Sequence, residues 1–125
     1  MALDHVNVYV IDEGDSWTII DTGFWSKKTQ SIWSDIKEKW FSDKPIGKVI
    51  VTHHHPDHVG LAGWFQTEFK AELWMSRTAW LMARMLRLDY QKLPTQETIN
   101  FWRRAGMDDL ILNERTTGKP FNFGE

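Results

Sequence analysis

Residues Thr52-His53-His54-His55-Pro56-Asp57-His58-Val59-Gly60 place four of the chain's five histidines, together with an aspartate, in six consecutive positions. They follow directly on Ile46-Gly47-Lys48-Val49-Ile50-Val51, a β-branched run that reads as a strand. This junction constrains the fold more than any other feature. The strand must end where imidazoles stay accessible, and the chain must turn at Pro56. Alternate residues of an extended segment point the same way, so His53 and His55 converge while His54 points away. Asp57 and His58, past the Pro56 turn, are placed to serve a neighbouring position. Neutral imidazoles and carboxylates are donors that Zn²⁺ favours. A terminal tag would be uninterrupted, and a solvated loop has no need of so many imidazoles. The cluster reads as a metal site, or half of one.

Two further stretches stand in a fixed relation to this one. Upstream, Val6-Asn7-Val8-Tyr9-Val10-Ile11 is followed by Trp17-Thr18-Ile19-Ile20-Asp21-Thr22-Gly23; downstream comes Val59-Gly60-Leu61-Ala62-Gly63-Trp64-Phe65. Together with the His53-x-His55-x-Asp57-His58 loop, these resemble the metallo-β-lactamase superfamily. They match its opening hairpin ending in Asp-Thr-Gly, its metal loop and the helix start after that loop. The resemblance covers residues 5 to 75, and its closest look is to bacterial hydrolases known by fold rather than by substrate. It implies an α/β fold: half of a four-layer αββα sandwich, a mixed sheet covered by helices, with a helical insertion. It also implies a metal-dependent hydrolase of the dinuclear zinc type, in which metal-bound hydroxide attacks an ester, thioester, lactone or related bond. One ion would be held by His53 and His55, the second by Asp57 and His58. Asp57 would also orient the hydroxide and accept or relay its proton. Asp21 would hydrogen-bond the metal loop rather than bind metal, while Thr52 and Gly60 serve geometry, at the strand exit and the close helix approach. Two Zn ions are the default cofactor, and Fe or Mn suits the same donors.

The family completes its two sites with a further histidine, a bridging aspartate and a last histidine along the chain. Here no histidine follows His58, and His5 precedes the first strand. The chain is therefore read as the N-terminal half of such a hydrolase, inactive alone. Three alternatives stand beside that reading: a metal-binding or interaction module without catalysis, a site completed across an oligomer, and the RNA-processing branch of the same superfamily. The substrate in a complete enzyme would be a small molecule, and its binding residues are not legible.

The chain is read as one partial domain over 1–125. Residues 1–75 carry the sheet, covering helices and metal loop, 76–106 a helical insertion or lid, and 107–125 a loop-like tail. Strands are expected at 5–12, 16–21, 46–52 and 72–75. Helices are expected at 26–42, where Ile32, Trp33, Ile36 and Trp40 recur at helical spacing, and at 60–69, 76–90 and 95–105. Trp80, Met82, Met85 and Trp102 read as packing residues, with a substrate pocket as the sharper alternative. Thr116-Thr117-Gly118-Lys119-Pro120 lacks the spacing of a phosphate loop. A hydrophobic content of 42% supplies a core, and eight tryptophans are more than a small core hides. Some are expected on an uncovered sheet face, through which the chain would form a homo-oligomer.

A net charge of −2 gives no basic face for nucleic acid, and Arg84, Arg87, Arg103 and Arg104 are interleaved with apolar residues as on the wet sides of helices. With no cysteine there is neither a disulfide frame nor a thiolate site. No apolar run reaches the roughly 18 residues that cross a bilayer, and the start lacks a signal-peptide layout. A cytoplasmic location without membrane contact is expected.

Overall fold

The computed structural model describes residues 5–41, 43–89 and 93–118. The chain divides into two compact units, 1–83 and 84–125.

The first unit opens with β1 (Tyr9–Asp12) and β2 (Trp17–Ile20), an antiparallel pair joined through Gly14 at φ 89°. Helix α1 (Lys27–Trp40) begins at Ser26, whose hydroxyl accepts from the Thr29 N–H at 3.0 Å, the capping bond that such a serine supplies. It crosses over to β3 (Ile46–Val51), which lies parallel to β2. Two short helices follow, α2 (Pro56–Val59) and α3 (Ala62–Glu68), and then β4 (Glu72–Met75), parallel to β3. The four strands form one mixed sheet in the order β1-β2-β3-β4.

One face of that sheet carries the core. Ile19, Val49 and Val51 point into it, and Trp33 of α1 and Leu61, Ala62 and Phe65 from the segment after the histidines complete the cluster. The Trp33 and Phe65 rings meet edge to face with centroids 5.1 Å apart. Burying a side chain of this size contributes about 1.5–3 kcal/mol. The alternate residues of the strands form the opposite face, where Tyr9, Ile20, Ile50 and Trp74 lie in register across all four strands. The ends of this apolar row are open: Tyr9 is 61% and Trp74 54% exposed.

Helix α4 (Arg77–Leu88) starts at Ser76, whose hydroxyl accepts from the Ala79 N–H, and the division between the two units falls inside it. The second unit holds α5 (Gln96–Arg104), capped by Thr95, and α6 (Asp109–Thr117), capped by Asp108. The Arg115 guanidinium lies 5.6 Å from the centroid of the Trp102 ring.

Three differences from the sequence reading have physical causes. The polar tail was expected to be loop, yet 109–117 is helical because Asp108 caps it and Leu112 is buried beneath it; 119–125 lie outside the described residues. The helix expected from Gly60 begins at Ala62, and a separate short helix, Pro56–Val59, precedes it, since Pro56 occupies a first helical position, where its missing N–H costs nothing. Asp57 and His58 therefore sit in the first turn of α2. The first strand is shorter than 5–12 and begins at Tyr9, where pairing with Ile20 begins. Among the described residues no helix is long and apolar enough to cross a membrane.

Phe65→Ala should cost about 3–5 kcal/mol in urea unfolding, as the loss of a fully buried ring does. Trp40→Ala, at a position 72% exposed, should stay within about 0.5 kcal/mol.

Candidate metal centre

Strands β2 and β3 run parallel, so both end at the same edge of the sheet. Asp21 follows the one and Thr52 the other, and the Asp21 N–H donates to Ile50 O at 2.9 Å, continuing the ladder past the last strand pair. Asp21 then turns into the left-handed region at φ 60°, unusual outside glycine, and its side chain is buried. The turn carries the carboxylate toward the histidine loop.

Three groups of that loop reach Asp21 by bonds of ordinary length. The Thr52 N–H donates to Oδ1 at 2.8 Å, the Thr52 hydroxyl to Oδ2 at 2.8 Å, and His58 Nδ1 lies 2.8 Å from the same Oδ2. Burial works to raise the Asp21 carboxyl. The Thr52 N–H, His58 and the Thr52 hydroxyl together outweigh it and hold the group below the usual carboxylate range. Asp21 is thus an ionised acceptor, a carboxylate behind a histidine in the manner that orients metal-ligating imidazoles.

The remaining donors come in twos. His53 Nε2 and His55 Nδ1 stand 3.0 Å apart, and His58 Nε2 stands 3.4 Å from Asp57 Oδ2. Two ligands at zinc–nitrogen distance, tetrahedrally disposed, are separated by about 3.3 Å. Each pair therefore has the spacing of one edge of such a coordination sphere, and the chemistry of the donors fits the ion. Among the described residues no three His, Cys, Asp or Glu side chains gather to hold one. The His53 and His58 ring centroids are 4.0 Å apart, which brings the two pairs side by side, while the His54 ring lies 6.5 Å from that of His53. Burial, and after it the charges of His58 and His55, hold the His53 ring below the ordinary imidazole value against the pull of Asp21 and Asp57. A neutral ring is the form that binds metal.

Backbone contacts fasten the loop from behind. The Thr22 N–H and hydroxyl both donate to His58 O at 2.8 Å, and the Thr22 hydroxyl accepts from the Leu61 N–H at 2.9 Å. The Trp33 indole N–H donates to Thr22 O at 2.8 Å, which ties this clamp to the core. A Cβ on Gly60 would fall 2.5 Å from Pro56 O and from Trp25 N, and 2.7 Å from Gly23 O. Only glycine allows the two loops to approach so closely. Sequence reasoning missed Thr22 and Trp33 as site residues; the threonine was legible only as part of Asp-Thr-Gly, and the tryptophan only as a core position.

A mixed four-stranded sheet with paired imidazole and carboxylate donors at its carboxyl edge defines a partial metallohydrolase-type α/β fold. The chain belongs to the metallo-beta-lactamase superfamily, whose family model matches residues 1–121. Among solved structures, it is similar to a beta-lactamase domain protein from Burkholderia ambifaria. The identity there is 24% and the TM-score 0.67, over 96% of this chain and 37% of that one. A metallo-beta-lactamase from Pontibacter korlensis is 20% identical with a TM-score of 0.52, over 60% of this chain and 34% of that one. Both likenesses concern the fold, and the chain spans only about a third of either protein's length. No curated protein matches it.

Gly60→Ala should destabilise the protein by about 1–3 kcal/mol, the usual cost of forcing extra volume into packed backbone. Gly63→Ala, where nothing lies within 4 Å of the added carbon, serves as the control in the same denaturant series.

Proposed function

We propose that the chain is the N-terminal part of a metal-dependent hydrolase and contributes one donor pair to each of two ions. His53 and His55 would hold the first, Asp57 and His58 the second, with zinc the ion of first choice and iron or manganese suited to the same donors. The whole protein would cleave an ester, thioester, lactone or related bond in a small molecule. The observation that carries this reading is the pairing of donor atoms at 3.0 and 3.4 Å beside a buried, ionised carboxylate. Membership of a superfamily rich in hydrolases and a length about a third of the structural neighbours' support it further.

When bound, such ions supply a nucleophilic water at neutral pH and polarise the scissile oxygen. The protein's own side chains do the rest. Asp57, in the first turn of α2, would orient the attacking water and take its proton. Asp21 holds His58 through Nδ1 and so presents the opposite nitrogen. The missing donors, at least one further ligand per pair, would come from residues beyond this set.

Zinc titration of the chain tests the ligand assignment. His53→Ala and His55→Ala should each lower affinity beyond the roughly 10–100-fold that losing an outer partner costs; unchanged affinity in both removes them as ligands. In the longer protein, Asp57→Asn should lower kcat on a panel of thioesters and lactones by about 10²–10⁴-fold with the circular dichroism unchanged. Full turnover would take Asp57 out of the chemistry.

A further inference from the structure

The hydrogen bonds of Asp21 and Thr52 fix where the protons between them lie. Thr52 Oγ1 lies 2.8 Å from Asp21 Oδ2 and 3.0 Å from His53 Nδ1. A hydroxyl has a single proton to give. Asp21 is ionised and only accepts, so two oxygens at this distance require the threonine proton between them. The hydroxyl then has only lone pairs to offer His53, and Nδ1 must be the donor. In the neutral ring, Nε2 of His53 is left as a lone pair. The next contact follows in the ion-free chain, where His53 Nε2 accepts from His55 Nδ1, 3.0 Å away; that proton must leave Nδ1 before the pair can hold an ion. On the other side His58 Nδ1 donates to the same Asp21 Oδ2.

We propose that Thr52 is a positioning residue for the metal centre: its hydroxyl relays the Asp21 carboxylate to His53 and sets that ring's tautomer, so that one carboxylate oxygen orients an imidazole in each donor pair. Asp21 reaches His58 directly and His53 through Thr52. The two pairs are coupled because both proton chains end on Oδ2. The tautomer assignment stands without the hydrolase reading, whereas its use in holding an ion rests on that reading.

The test has two parts, both on the whole chain. In ion-free protein labelled with ¹⁵N-histidine, long-range nitrogen–proton correlation spectra should show His53 protonated at Nδ1 and bare at Nε2, and His58 protonated at Nδ1. Thr52→Val should return His53 to a tautomer mixture while leaving His58 unchanged, and Thr52→Ser should restore the single form. Wild-type His53 carrying its proton on Nε2 overturns the proposal outright, even if the valine variant fails to fold. So does a folded Thr52→Val protein with an unaltered His53 spectrum.

In zinc titration, Thr52→Val should weaken binding about 10–100-fold with rescue by Thr52→Ser. Equal affinity in both variants and wild type removes the positioning role. If wild type shows the stated tautomers but takes up no zinc, the relay stands and its use in holding an ion by this chain falls.

Discussion

The structure turns on one buried carboxylate. Asp21 sits where β2 ends, in a backbone conformation that costs a non-glycine residue free energy, and it gathers three donors from a loop more than thirty residues away in sequence. An ionised group in such a position is tolerated only when its lone pairs are filled. Filling them requires Thr52 and His58 to be where they are, so the requirement to satisfy Asp21 is also the requirement that shapes the histidine loop. Strain at the turn and order in the loop are two sides of one arrangement.

Topology makes this meeting available. Because α1 carries the chain from β2 back to a parallel neighbour, the carboxyl ends of β2 and β3 lie side by side, the edge at which α/β sheets gather their ligand-binding residues. The loop after β2 and the loop after β3 then need only short bonds to lock: Thr22 to the His58 carbonyl, and Gly60 against the backbone of Gly23 and Trp25. The donor pairs are held by backbone on one side and by a carboxylate on the other.

Much of this was legible from residue order. The β-branched run before Thr52 and the helical spacing of Ile32, Trp33 and Ile36 gave elements that the structure contains at nearly the same bounds. The mixed sheet and the family followed from the same residues. What stayed hidden depended on contacts distant in sequence. Asp109–Thr117 sets Leu110-Ile111-Leu112 among polar residues, and the Asp108 cap and the burial of Leu112 explain a helix there. A threonine at a strand exit reads as geometry until its hydroxyl is seen between a carboxylate and an imidazole. The substrate stays illegible because nothing in the paired donors distinguishes one scissile bond from another.

The indole of Trp33 has a consequence of its own. Its ring packs on Phe65 in the core, while its N–H holds the carbonyl of Thr22, and Thr22 in turn holds His58. Interior and reactive edge therefore share a residue, and a change that loosens the one is felt at the other. Drift in the core cannot be silent at such an edge. One indole thus serves as hinge pin between the packed interior and the loop that carries the histidines.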